Sequence, residues 1–207
     1  MTNNNGNYHN YRTKCSGTIM ADLKRIVLLA VVLALAGCGG KAGVYHDKNM
    51  DFGSIRTVAV MPFMNLTSDA GAAERVRDVF SDSLLATGAV YVLPSGEVAR
   101  GLARAGVNTP SAPAPSEVKT FCSFVKADAV ITGVIREYGE VRSGNTSSTI
   151  ISVSLQMMEA QSGRIVWSAS ATEGGITIWD RLFGGGAEPM NAITQKAVDE
   201  LIKKLFA

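Results

Sequence analysis

The feature that most constrains the fold is a strict alternation of apolar and polar side chains in the second half of the chain. Residues 151–157 read ISVSLQM, and residues 164–172 repeat the pattern with a tryptophan among the apolar positions. A period of two residues places one face of a strand in the core and the other in solvent. The β-branched stretch 129–142 precedes them, and turn residues at 143–146 and 161–163 separate the segments. The sequence therefore predicts three consecutive antiparallel strands, a meander.

The other elements follow from apolar runs and helical spacing. Short β-branched runs predict strands, while apolar residues three and four positions apart predict helices. The predicted elements are a strand at 57–62, a helix at 71–87, a strand at 90–93, helices at 95–105 and 116–126, and a final helix from Pro189. We expect Gly133 and Gly139 to mark bulges. The order βαβααβββα predicts a single α+β domain, with helices packed on a mixed sheet that ends in the three-stranded antiparallel meander.

A second constraint lies near the N-terminus, where an apolar run ends in Leu35-Ala36-Gly37-Cys38. Lys24 and Arg25 precede the run, which is shorter than the ~20 residues that span a bilayer. A basic start, a short apolar core and small residues are typical of a signal peptide. The final cysteine predicts cleavage and acylation with palmitate-type chains at Cys38. The alternative is an ordinary buried cysteine in an apolar helix.

This pattern divides the chain into three parts. Residues 1–37 are predicted to be a leader and lipoprotein signal peptide, in which translation starts at Met1 or at Met20. Residues 38–55 are Gly-rich and polar, and they predict a lipidated tether. Residues 56–207 form the predicted domain. Gly39 follows the cysteine in place of an aspartate, which resembles lipoproteins sent to the outer membrane.

Composition excludes several classes of function. The leader removes four of the 20 basic and one of the 18 acidic residues, which leaves a net charge near −1. There is no basic stripe with interleaved aromatic residues, so no nucleic-acid partner is predicted. Cys15 leaves with the leader, and acylation of Cys38 leaves Cys122 alone, so no disulfide within the chain is predicted. Cys122 lies in an apolar run and is predicted to be a core residue.

The sequence holds few groups suited to catalysis. His46 is the only histidine after the leader, and in the predicted tether it is expected to be solvated. No nucleophile elbow, phosphate-binding loop or His/Cys metal cluster is present. Glu137 and Glu140 are expected on opposite faces of a strand, and Asp78 with Asp82 on a helix surface. We therefore predict no catalytic residues, no metal, no cofactor and no enzymatic activity.

A glycine-rich segment at 174–187 combines apolar and aromatic side chains, interrupted by Asp180 and Arg181. Aromatic residues favour the membrane interface, and exposed apolar patches mark interaction sites. The alternative is that this loop covers the core. The interruption by charges favours a patch that faces a membrane or a partner. The predicted membrane-contact residues are Ile178, Trp179, Leu182 and Phe183.

Residues 57–67 (TVAVMPFMNLT) and 127–173, with the helix between them, resemble the TolB N-terminal-domain-like envelope lipoproteins. Within that superfamily they are similar to the curli-secretion lipoproteins, and more so to the PelC-like lipoproteins of Pel exopolysaccharide export. The resemblance implies a TolB N-terminal-domain-like fold. It also implies a non-catalytic lipoprotein anchored on the periplasmic face of the outer membrane.

The same resemblance implies a homo-oligomeric ring for exopolysaccharide export and biofilm formation. Its partners would be outer-membrane lipid, an export porin or secretion complex, and the polysaccharide itself. Trp179 lies a few residues from the position of a membrane-facing tryptophan in that family. The resemblance leaves two alternatives open, namely activation of a cell-wall synthase and assembly of another secretion system.

Overall fold

The structure is a computed structural model that describes residues 43–143, 146–175 and 188–207. The chain divides into two compact units, Met1–Lys41 and Ala42–Ala207. All described residues belong to the second unit. Among the described residues, no helix combines the length and the hydropathy needed to cross a membrane.

The described residues of the second unit form seven strands and four α-helices. A single 3-10 turn, Phe52–Ser54, follows the first strand. The strands are β1 (Tyr45–His46), β2 (Thr57–Val60), β3 (Met64–Asn65), β4 (Tyr91–Val92), β5 (Ala129–Ser143), β6 (Thr146–Glu159) and β7 (Ile165–Gly174). The helices are α1 (Ala72–Ala86), α2 (Ser95–Ala105), α3 (Pro115–Val125) and α4 (Met190–Leu205).

The strands form one mixed sheet in the order β1-β7-β6-β5-β2-β4, with β3 pairing farther along β5. β6 is antiparallel to both β5 and β7, which confirms the predicted meander. β2 is parallel to β4 and β5, so the predicted mixed α+β fold is also confirmed. The parallel pairs arise because helices connect β2 to β4 and β4 to β5.

The larger hydrophobic cluster lies between the sheet and helices α1 and α4. The apolar positions of the alternating strands point into it, and Trp167 and Phe80 are fully buried there. The Trp167 indole donates a hydrogen bond of 3.2 Å to the Lys204 carbonyl at the end of α4. This bond satisfies the buried indole nitrogen and connects the last strand to the last helix.

A smaller cluster lies on the opposite face, under α2 and α3. Gly101 permits close packing of the two helices, because a Cβ there would lie 2.3 Å from Cγ1 of Val125. Cys122 is buried in this cluster, which confirms its predicted core position. Burial raises the pKa of the Cys122 thiol to about 12, so the thiolate is disfavoured at neutral pH.

The prediction of a tether is wrong for residues 45–55. β1 pairs with β7, and the Asp47 amide donates to the Val166 carbonyl at 2.8 Å. His46 is half-buried, with Nε2 3.1 Å from the Lys204 carbonyl oxygen. A two-residue strand has no periodicity that a sequence can display, and its stability comes from the edge of β7 that it covers.

The two glycines of β5 do not mark bulges. The register shifts between Ile135 and Glu137, while Gly133 stays opposite Leu155 and Gly139 opposite Ile150. A Cβ on Gly133 would lie 2.6 Å from Leu155 Cδ2 and 2.8 Å from the Phe63 ring. Gly133 therefore provides space for the Phe63 ring against the sheet, and the bulge falls on Arg136.

Candidate functional site: the base of the 176–187 loop

The predicted membrane-contact residues lie outside the described residues, and so does Cys38. The structure does describe both ends of the segment that carries Trp179. We call these ends, with the two β6 side chains that hold them, the loop base. The loop base consists of Ser148, Thr149, Gly174, Gly175 and Glu188.

Glycine is required at the point where the chain leaves β7. Gly174 has φ +82° and Gly175 has φ +88°, a region that side chains disfavour. A Cβ on Gly174 would lie 2.1 Å from the Thr149 carbonyl oxygen, whereas the nearest atom at Gly175 is 3.8 Å away. The close approach at Gly174 permits the Gly175 amide to donate to the Thr149 carbonyl at 2.8 Å.

Two buried hydroxyl groups of β6 hold the two ends of the loop together. Thr149 Oγ1 donates to the Glu188 carbonyl at 2.6 Å, while Ser148 Oγ donates to the Gly175 carbonyl at 2.9 Å. Ser148 and Thr149 are only 9% and 8% exposed. Buried polar groups need partners, and here the partners are the backbone on both sides of the loop. The positions at which residues 176–187 begin and end are therefore fixed.

Charged side chains surround the loop base where it meets α4. Lys196 forms an ion pair with Glu188 at 2.6 Å. Burial raises the pKa of Glu173, and the neighbouring Glu200 carboxylate raises it further, while Lys196 opposes both effects. Glu173 is therefore more easily protonated than an ordinary glutamate.

The N-terminal end of β1 points toward the loop base. β1 is antiparallel to β7, with Tyr45 opposite Ser168 and His46 opposite Trp167. The end of β1 that leads back to Gly43 therefore points toward the Gly174 end of β7. The chain enters the sheet from the same end at which the 176–187 segment leaves it.

The arrangement offers positioning rather than catalysis. Within the described ranges, no group of three His, Cys, Asp or Glu side chains is placed to hold a metal ion. Glu137 and Glu140 are exposed on β5, where Glu140 pairs with Arg142 at 3.5 Å. The loop base presents fixed backbone, hydroxyl groups and one ion pair, which together can hold a segment in a defined place.

Sequence reasoning found the loop but not the residues that hold it. Ser148 and Thr149 fall between the predicted turn at 143–146 and the alternating residues 151–157, whereas β6 already begins at Thr146. One signal was present, because the pair Gly174-Gly175 directly follows an alternating strand. Paired glycines at a strand end indicate backbone conformations that other residues avoid.

The comparisons with known proteins agree with this fold. The family model of the GNA1162-like lipoproteins matches residues 50–178, more than half of the chain. The chain belongs to the GNA1162-like lipoprotein family. Among curated proteins, none matches it in sequence. The matching family is one of lipoproteins.

Solved structures of two lipoproteins share the fold. The PelC dodecamer from Paraburkholderia phytofirmans has a TM-score of 0.53 at 15% identity, covering 81% of this chain and 97% of that one. GNA1162 from Neisseria meningitidis also has a TM-score of 0.53, at 18% identity, covering 73% of this chain and 98% of that one. The predicted resemblance to PelC-like lipoproteins is confirmed at the level of the fold, and the predicted membership of a lipoprotein family is confirmed by the GNA1162-like match.

A third structure is more distant. The C-terminal domain of LpoB from Escherichia coli has a TM-score of 0.43 at 18% identity, covering 57% of this chain and 82% of that one.

Proposed function

We propose that this chain is an outer-membrane lipoprotein that acts as a non-catalytic subunit of an exopolysaccharide export apparatus. Lipid on Cys38 anchors it at the periplasmic face, and the 176–187 loop holds the domain against the same membrane. Copies of the chain assemble as a homo-oligomeric ring. The lipoprotein family and the signal-peptide pattern before Cys38 support the anchor.

The observation that carries the two-point attachment is the polarity of β1. The chain leading back from Gly43 points toward the loop base, and only five residue-to-residue steps separate Gly43 from Cys38. At ~3.4 Å per residue these span at most about 17 Å. The anchor and the loop can therefore reach one membrane surface together. Acyl chains supply most of the affinity, and aromatic residues at the interface add orientation.

The proposal of a ring is supported by the shared fold. PelC, which shares this fold, was solved as a dodecamer. The export function rests on the resemblance of residues 57–67 and 127–173 to the PelC-like lipoproteins.

The export function is tested by complementing a deletion strain with three variants. We expect Cys38→Ala to release the protein from the outer membrane and to abolish most exopolysaccharide secretion. We expect Trp179→Ala to stay in the membrane fraction but to secrete less. Tyr91→Ala is the control, because Tyr91 is an exposed aromatic residue on β4, at the other edge of the sheet from β1.

Three outcomes would contradict the proposal. A deletion that leaves secretion intact while cell-wall synthesis falls would indicate the synthase-activating alternative. A purified Ala42–Ala207 unit that stays monomeric at high concentration would contradict the ring. Unchanged secretion together with unchanged liposome association for Trp179→Ala would contradict the membrane contact.

A further inference from the structure

A pocket of about 310 Å³ lies at the end of the sheet opposite the loop base. Its inner wall is formed by side chains that are at most 7% exposed, on β2, α1, β6 and α4. These are Val58, Leu84, Met157 and Leu205. The pocket lies beside the C-terminal ends of α1 and α4. Ligand pockets are mostly apolar concavities of 300 Å³ or more, and this one lies at the small end of that range.

The outer wall of the pocket is the segment between β1 and β2. Phe52 lies in this wall, and its ring meets the His46 ring edge-on at a centroid distance of 5.5 Å. Phe206 completes the mouth and remains 50% exposed. The same segment that leads toward the anchor therefore closes one side of the cavity.

One cation lies at the mouth. The Arg56 backbone is held in place because its amide donates to Asp128 Oδ2 at 2.9 Å. The ion pairs among the described residues do not include the Arg56 guanidinium, which is exposed at the rim. Helix C-terminal ends carry partial negative charge, but the last turn of α4 carries Lys203, which offsets it, whereas Lys204 is paired with Glu200.

We propose that this pocket binds a single-chain alkyl carboxylate, with the tail inside the pocket and the carboxylate at Arg56. The apolar wall selects the chain, and the guanidinium is the group that best pairs with a carboxylate. The volume suits one chain and not two. The site itself does not depend on the export function proposed above; only the choice of a free amphiphile over a bilayer lipid rests on the proposed membrane contact of the 176–187 loop.

The ligand is a free amphiphile and not a lipid of the bilayer to which the loop would attach. Thr149 at the loop base and Met157 in the pocket are eight residues apart on β6. At ~3.3 Å per residue the two ends lie about 26 Å apart. A bilayer that contacts the 176–187 loop cannot place its acyl chains in a pocket at that distance.

The test is a titration of the Ala42–Ala207 unit with hexanoate, octanoate and decanoate, followed by amide chemical shifts in NMR spectra. This unit is suitable because both hydrophobic clusters lie entirely within it. We expect shifts at Phe52, Val90 and Phe206, and an affinity that rises about fourfold per added methylene until the pocket is full. No shifts at millimolar concentration, or shifts centred elsewhere, would overturn the proposal.

Two further comparisons distinguish the contribution of the ligand's tail to binding from that of its head group. Arg56→Gln should weaken decanoate binding several-fold and leave decanol unchanged; equal loss for both ligands would overturn the assignment of the carboxylate. Ala89→Phe, at the mouth, should abolish binding, while Ala103→Phe, exposed on α2, should not. Unchanged binding by Ala89→Phe would overturn the location of the site. The NMR spectrum of each variant shows whether it is folded.

Discussion

The two ends of strand β6 are built in opposite ways. At the loop base, Ser148 and Thr149 hold the backbone on both sides of the 176–187 loop through hydrogen bonds. At the pocket end, Met157 lies among apolar side chains, and Phe52 of the closing segment packs edge-on against the His46 ring. The His46 and Trp167 rings both contact the Lys204 carbonyl at the end of α4. The difference matches the occupant proposed for each end, namely the 176–187 loop at the loop base and a ligand in the pocket.

Directional bonds fix a segment at one register, whereas apolar packing tolerates exchange of one occupant for another. The loop base therefore suits a fixed attachment, and the pocket end suits a replaceable ligand. Substitutions at the two ends should therefore change the free energy of unfolding by different amounts.

The largest effect is expected at the pocket end, where Trp167→Ala removes a fully buried side chain and its bond to Lys204. We expect the free energy of unfolding to fall by about 3–5 kcal/mol. Denaturant unfolding of the Ala42–Ala207 unit measures it. Tyr91→Ala, which removes an exposed aromatic side chain, should cost far less. A loss below about 1 kcal/mol for Trp167→Ala would show that this end is not a packed core.

The next largest effect is expected at the loop base, where two alanine substitutions distinguish steric overlap from backbone strain alone. Gly174 and Gly175 have similar φ values, but only Gly174 lies against the Thr149 carbonyl. We expect Gly175→Ala to lower the free energy of unfolding by about 1 kcal/mol, the usual penalty for a side chain in the left-handed region. Gly174→Ala adds overlap with that carbonyl and should cost about 3 kcal/mol. Equal losses in denaturant unfolding would show that the close approach does not matter.

The smallest effect is electrostatic and depends on pH. The raised pKa of Glu173 means that the folded state binds its proton more tightly than the unfolded state does. Its contribution to stability is therefore present below the unfolded pKa of 4.5 and is lost as pH rises through the folded pKa. Glu173→Gln should match the natural protein at pH 4 and be more stable at pH 7, by less than about 1 kcal/mol.

Glu137→Gln is the control for this pH dependence, since Glu137 is exposed on β5 and away from α4. Thermal unfolding of both variants between pH 4 and pH 8 measures the difference. A stabilisation by Glu173→Gln that is the same at all pH values would contradict the assignment to Glu173 ionisation.

Most of the fold could be predicted because its elements display their own periodicity. The alternation at 151–157 and 164–172 belongs to strands with one face in the core, and the helix predicted at 95–105 has those bounds in the structure. The short strands β1 and β3 have two residues each, too few for any period to appear. Their stability comes from the edges of β7 and β5 that they cover.

The candidate site was only half predictable. Its apolar and aromatic composition marks the loop around Trp179, because such residues are uncommon in a glycine-rich segment. The role of Thr149 could not be predicted, since its partner, the Glu188 carbonyl, lies 39 residues away in sequence. Contacts between distant backbone atoms have no signature in residue type alone.

The most direct test uses the only two tryptophans of the chain. Trp167 is fully buried, whereas Trp179 lies in the loop proposed to face the membrane. The acylated protein is placed in bilayers that contain brominated phospholipid, which quenches fluorescence only from tryptophans within reach of the acyl chains. We predict quenching in the natural protein and none in Trp179→Phe, which retains Trp167. Unquenched fluorescence in the natural protein would contradict the attachment of the loop-base end to the membrane.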